Sequence, residues 1–160
     1  MDRIDRIIHD RRFTEALQKL RIYEKGRIFC GHDLKHFLDV ARIAWIYILE
    51  HHLNYKKDVV YAMGLLHDIG RICQYEENIP HHEAGACMAS AILKDAGYDE
   101  AETALVKDAI LHHRKEENED PASLNAILYM ADKKSRACYM CDAIDLCHWP
   151  DSIKNKSVTD

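Results

Sequence analysis

No apolar run in this chain approaches the roughly 20 residues that cross a bilayer, and the charged start Met1-Asp2-Arg3-Ile4-Asp5-Arg6 does not fit a signal peptide. These absences set the expectation of a cytoplasmic protein without a membrane partner. No alternating apolar and polar stretch marks a strand, and no internal repeat or low-complexity segment stands out. The expected fold is therefore all-α. Positive charge is in deficit as well, with a net charge of −5 at pH 7. Non-specific nucleic-acid binding needs clustered Lys and Arg, so a long nucleic acid is not an expected partner. A small phosphorylated substrate stays open, because a bound metal supplies positive field locally. Without an export signal, the six cysteines read as reduced thiols or metal ligands rather than a disulfide framework. At 160 residues the chain suits one compact domain that can bury a core unaided. Within it, residues 1–29 read as N-terminal packing helices, 30–136 as a helical core and 137–160 as a cysteine-rich tail.

What the chain does have is helical periodicity. Ile4, Ile7, Ile8, Phe13, Leu17, Leu20 and Ile22 recur among charges over residues 2–25, which predicts one or two amphipathic helices broken at Gly26. From His32 to His51, the residues Phe37, Val40, Ala41, Ala44, Trp45 and Ile48 follow the spacing of one buried stripe. A turn at Asn54 precedes a helix with Val59, Ala62, Met63 and Leu66 on its inner face, continuing into His67 and Asp68. In that helix Gly64 lets a neighbour approach closely, and Gly70 suits its end. Pro80 suits the first position of the next helix, which carries Ala84, Cys87, Met88, Ala91 and Ile92 and ends at Gly97. Asp99 with Glu102 matches a capping box opening a helix with Val106, Ala109, Ile110 and His113 on one face. The acidic run Glu116 to Asp120 reads as a solvated loop, and Asp120-Pro121 as the start of a helix with the stripe Leu124, Ile127, Leu128 and Ala131. The polar end, Ser152 to Asp160, reads as frayed.

The sequence holds eleven histidines, and their positions carry the argument. His36, His67 with Asp68, His81, His113 and Asp132 each stand at the margin of an apolar stripe, on five different helices. Any one alone has a structural explanation, as a hydrogen-bonded core residue. A carboxylate such as Asp132 beside a core is costly unless paired or bound to metal, and five such placements together fit one polar site inside a helical bundle. Adjacent helical residues point about 100° apart, so His67 and Asp68 serve one ion only from the fork between them, or with the carboxylate bridging two. Imidazole and carboxylate donors suit iron, manganese, zinc, cobalt or nickel.

His36 in His-Phe-Leu-Asp-Val-Ala-Arg, His67-Asp68 in Leu-Leu-His-Asp-Ile-Gly-Arg and Asp132 in Tyr-Met-Ala-Asp-Lys-Lys-Ser-Arg together resemble the H…HD…D signature of the HD-domain metal-dependent phosphohydrolases. His81 before Gly85-Ala86, and His113 after Ala109-Ile110, resemble the additional histidines of two-metal members. The resemblance spans most of residues 30–136. It implies a single-domain helical bundle that hydrolyses a phosphate ester or anhydride of a small molecule, with nucleotides the favoured substrates. Symmetrical cleavage of a dinucleoside polyphosphate and 5′-nucleotide dephosphorylation are its two concrete forms, the first favoured if two metals bind. It also implies that His36, His67, Asp68 and Asp132 hold one divalent metal, that Asp68 bridges, and that His81 and His113 complete a second site. With one ion only, His81 or His113 is left to donate a proton to the leaving group. Arg71 and Arg114, each near a ligand, are candidates for phosphate contacts or equally for surface ion pairs. Two features depart from parts of the family. No Gly-Tyr-Pro follows His113, unlike the cyclic-di-GMP phosphodiesterase branch, and Arg71 stands where many members carry lysine. His82 competes with His81, which is preferred for its spacing to Gly85.

The tail adds a C-x-x-C pair, Cys138 and Cys141, followed by Cys147-His148. A structural metal needs four ligands, and neighbours such as Cys147 and His148 rarely share an ion, so Cys30 is a further candidate; free thiols packed under the tail are the alternative. Two rival functions follow, a metal- or nucleotide-binding sensor without turnover and a redox module centred on the cysteines.

Overall fold

The computed structural model describes residues 2–114 and 120–158. Among these residues it contains eight α-helices, two short 3-10 turns and no strand. None of the helices is long and apolar enough to cross a membrane.

Five of the eight helices begin where short polar side chains satisfy their free N–H groups. Asp2 and Asp10 accept the first-turn hydrogen bonds of α1 (Arg3–His9) and α2 (Arg11–Tyr23), and Asp33 does so for α3 (Leu34–Glu50). After α4 (Lys57–Leu66) and α5 (Arg71–Glu77) comes α6 (His81–Ala96). The capping box of Asp99 and Glu102 opens α7 (Glu100–His112), and Ser123 caps α8 (Leu124–Lys134).

Several boundaries differ from the periodicity reading. Pro80 precedes α6 as its cap rather than entering it. Helix α8 starts at Leu124, not at Pro121, because the Ser123 hydroxyl takes the Ala126 N–H after a turn in which Asp120 accepts from Ala122. His32 lies outside α3. His67 and Asp68 are not on a continuing helix; they occupy a tight turn between α4 and α5, and α5 itself has no clear periodic signature. Of the acidic run, Glu116 to Glu119 lie outside the described residues.

The core is one cluster. Phe37, Val40, Ala44 and Ile48 of α3 meet Met63 and Leu66 of α4, Ile110 of α7 and Leu128 of α8. Helix α3 packs on α4 and α8, while α7 packs on α6 and α8. Two glycines set the distances that matter for the site. A Cβ at Gly64 would lie 2.7 Å from the backbone of Ala41, so α3 and α4 touch main chain to main chain. A Cβ at Gly70 would collide with the His81 carbonyl oxygen and the backbone nitrogen of Gly85. The turn carrying Asp68 is thereby pressed against the first turns of α6, which brings His81 to it.

Candidate metal centre

Six side chains converge in the middle of the bundle, and all six are buried: His36 from α3, His67 and Asp68 from the α4–α5 turn, His81 from α6, His113 just past α7 and Asp132 from α8. His36, His67, Asp68 and Asp132 offer donor atoms within 4.8 Å of one another, and so do Asp68, His81 and His113. The two sets share Asp68, and each of its oxygens faces one of them. Oδ2 lies 3.2 Å from His67 Nε2 and 3.9 Å from His36 Nε2, whereas Oδ1 lies 3.4 Å from His81 Nε2 and 3.8 Å from His113 Nε2. Asp132 Oδ1 closes the first set at 3.4 Å from His36 Nε2. His82 is turned away toward Glu83.

The surroundings fix which ring nitrogen carries the proton. His67 Nδ1 is 2.8 Å from the Gly64 carbonyl, His113 Nδ1 is 2.6 Å from the Ile110 carbonyl, and His81 Nδ1 is 2.8 Å from Gln74 Oε1. Oxygens of this kind only accept, so each Nδ1 donates and each Nε2 turns a lone pair inward. His36 follows the same rule: Ser135 Oγ donates to the Asp132 carbonyl and accepts from His36 Nδ1, 3.1 Å away. Outer partners of this kind orient metal-binding imidazoles.

Electrostatics point the same way. Burial holds the pKa of His36 down at about 4, that of His81 at about 3 and that of His113 at about 4. Burial also opposes charge on His67, but Asp68 and Asp132 outweigh it and raise its pKa. Both carboxyls stay well below the usual carboxylate range despite burial, Asp68 through His67 and Arg71, Asp132 through His36 and His67. The centre is thus two carboxylates among four imidazoles, of which His36, His81 and His113 resist protonation.

Two inward atoms, His67 Nε2 and Asp132 Oδ1, are buried without a hydrogen-bond partner, and Asp68 Oδ1 is ion-paired with Arg71 but makes no hydrogen bond of good geometry. Buried polar atoms are nearly always paired. Orphaned donors of electron pairs that face one another fit a cation, and the nitrogen and oxygen set suits a divalent metal.

Above the centre opens a cavity of about 320 Å³. Asp132, His81 and His113 form part of its floor, and Arg27, Arg71, Arg114, Lys133 and Arg136 supply five cations around it. Arg71 Nε also stands 2.9 Å from Asp68 Oδ1, while Arg114 is exposed. Phe29, His148 and Trp149 provide rings on the same wall, with Lys133 Nζ 4.8 Å from the Trp149 ring.

Sequence reasoning missed several members of this arrangement. His32 is buried with Nε2 3.6 Å from Asp68 Oδ2, its Nδ1 held 2.6 Å from Glu24 Oε1. Its position four residues before His36 was the available signal. Arg136, four residues after Asp132 and just past the end of α8, donates from Nη2 to His36 Nε2 at 2.9 Å and from Nη1 to the Gly31 carbonyl at 2.7 Å. Gln74 and Ser135 gave no signal, because their roles exist only in the fold.

A chain from Clostridium beijerinckii (strain ATCC 51743 / NCIMB 8052), an uncharacterized protein, is 43% identical over 155 residues, covering 97% of each chain. The crystal structure of a predicted HD superfamily hydrolase from an uncultured Thermotogales bacterium shares the fold, with a TM-score of 0.65, 22% identity, and coverage of 92% of this chain and 81% of that one. The HD-domain family model matches residues 33–143, the stretch that contains all six converging side chains, and the chain belongs to the HD-domain family.

Proposed function

We propose that the protein is a metal-dependent phosphohydrolase that removes or cleaves a phosphate group of a small molecule, a nucleotide above all. Family membership and the buried His/Asp cluster support the hydrolase and the metal. The observation that carries the substrate class is the change of charge along one path, from carboxylates and imidazoles at the bottom to five cationic side chains around the cavity. Anionic groups with more than one oxygen fit that gradient, and guanidinium groups bind them in bidentate fashion. The volume of the cavity is at the lower end of small-molecule sites, and its three rings offer a stacking surface for a base.

His36, His67, Asp68 and Asp132 would hold a first divalent ion, and Asp68, His81 and His113 a second. Iron, manganese, zinc, cobalt and nickel all accept this donor set. Such ions, when bound, lower the pKa of water and stabilise charge on phosphoryl oxygens. The chain's own contribution is positional. Arg27, Arg71, Arg114, Lys133 and Arg136 all line the cavity and would supply the cations that meet the oxygens of a bound phosphate. The Nδ1 bonds of the four histidines turn every Nε2 toward the centre, and burial keeps His36, His81 and His113 uncharged near neutral pH.

The test is metal content by elemental analysis of the wild type and Asp68→Ala, with phosphate release from a nucleotide panel after the native metal is restored. Loss of about two equivalents together with turnover is the expected result. Metal retained in Asp68→Ala overturns the shared carboxylate, and bound metal without turnover across the panel overturns the hydrolase in favour of a sensor.

A further inference from the structure

Four of the six cysteines meet at one place outside the His/Asp centre. Cys30, Cys138, Cys141 and Cys147 line a single small cavity of about 20 Å³, with Phe29, Ile144 and Trp149 around them. All are free thiols; Cys138 is buried and the other three half-buried. Cys73 and Cys87 lie elsewhere, so the gathering is selective.

The local backbone explains the aim of the tail cysteines. Cys138 opens a 3-10 turn, Cys138–Met140, and Cys141 closes it by donating its N–H to the Cys138 carbonyl at 3.1 Å. The turn brings Cys141 back beside Cys138, and both line the same cavity. A second 3-10 turn, Ile144–Leu146, ends in the same manner at Cys147, whose N–H donates to the Ile144 carbonyl at 3.3 Å. Cys30 approaches from the strap between α2 and α3, two residues before His32.

The tail also buries little apolar surface of its own. Between residues 137 and 158 the buried side chains are Cys138, Ala143 and Asn155, while Met140, Leu146 and Val158 are 79%, 70% and 78% exposed. Ordering each residue costs about 1–2 kcal/mol of backbone entropy, and a segment with so little apolar burial needs a staple. The ordered fold of this segment and the convergence of its thiols are two observations with one explanation.

We propose that Cys30, Cys138, Cys141 and Cys147 form a structural zinc site that fastens the cysteine-rich tail to the strap ahead of α3. Four thiolates in a closed tetrahedron are a zinc donor set, with Zn–S distances of about 2.3 Å. No three of the sulfur atoms lie within 4.8 Å of one another among the described residues, so binding draws them together across the cavity by side-chain rotation. Each thiol releases its proton as it ligates. The site has a functional consequence: Cys30 and Cys147 also border the large cavity, next to Phe29, His148 and Trp149. Zinc would therefore set the aromatic wall without touching the His/Asp floor.

The experiment separates the two centres. In a full-length His67→Ala/Asp68→Ala variant, elemental analysis is expected to find about one zinc per chain, released by an organomercurial thiol reagent and read with a zinc-sensitive dye. Cobalt loaded in its place is expected to show thiolate-to-metal charge transfer, and Cys141→Ser added to this variant is expected to abolish both signals, whereas Cys73→Ser with Cys87→Ser preserves them. Should Cys141→Ser fail to fold, thiol counting on the intact zinc-loaded protein decides, since two of the six cysteines are expected to react and all six after chelation. Zinc absent from the double variant, zinc retained in Cys141→Ser, or six reactive thiols in the zinc-loaded protein each overturn the site.

Discussion

Helix α3 buries six residues along a single face in 17 residues, His36 among them, whereas the 22 residues from 137 to 158 bury only Cys138, Ala143 and Asn155. The helical body is held by apolar packing that leaves little freedom for the side chains embedded in it. The tail is held by a few polar points, such as Asn155, whose amide donates to the carbonyls of Lys133 at 2.8 Å and Arg136 at 2.7 Å. The two regions meet at the cavity, one supplying the buried donor set and the other the aromatic rim. Rigidity and adaptability are thus divided between body and tail: the part that would place metal is fixed by the core, and the part that would select among substrates is fixed by local contacts.

That division predicts where substitutions are felt. The largest effect on the body is expected from Gly70→Ala, which sets a Cβ against the His81 carbonyl and the Gly85 backbone; overpacking of this kind costs about 3 kcal/mol, and chemical unfolding should show it along with weakened metal binding. Should Gly70→Ala unfold at the wild-type denaturant midpoint, the close contact between the turn and α6 does not hold the centre. Next, Gln74→Ala removes the acceptor that orients His81; metal titration is expected to show a loss of about 10–100-fold in the affinity of the Asp68, His81 and His113 set alone. Equal weakening of both sets would contradict the separation of roles.

The third effect is one of pH on the metal-free protein. The histidines His36, His81 and His113 have folded pKa values depressed by burial to about 4, 3 and 4. A depressed histidine favours folding above its ordinary value near 6.5, and that contribution is lost as pH falls toward the folded value. His67 has the opposite sign, being raised, but stands against three. The Tm of chelator-treated protein is therefore expected to fall as the pH drops from about 6.5 to 4; a flat or rising profile would mean that these rings are not buried in neutral form. The smallest effect belongs to the tail. Asn155→Ala deletes two hydrogen bonds and should lower stability by about 1–2 kcal/mol, with metal content at the His/Asp centre unchanged; loss of that metal would erase the distinction between the regions.

The same contrast explains what was legible in the sequence. Phe37, Val40, Ala44 and Ile48 repeat because a helix has one buried face, and a polar residue such as His36 or Asp132 stands out against that pattern. The all-helical class and the six converging residues could be read for this reason. The turn after Leu66 could not, since His67 and Asp68 continue the helical spacing although the backbone leaves the helix there. The prolines at 80 and 121 marked the neighbourhood of two helix starts but not their first residues, because the Ser123 hydroxyl, not the ring of Pro121, sets the entry to α8. Partners that matter only across the fold, Gln74 to His81, Ser135 to His36 and Glu24 to His32, leave no spacing to detect. Nor did the mouth of the cavity, whose cations come from positions between Arg27 and Arg136 in a chain of net negative charge.

One carboxylate serves both halves of the centre. With Asp68 Oδ2 toward His67 and Oδ1 toward His81, a first ion would fix the torsion that a second would have to use. Two bound ions would then be coupled, and reciprocity requires each to change the other's affinity by the same factor. The ease with which a chelator removes one ion would depend on whether the other is in place, so the stripping curve reads out the torsion of this single side chain.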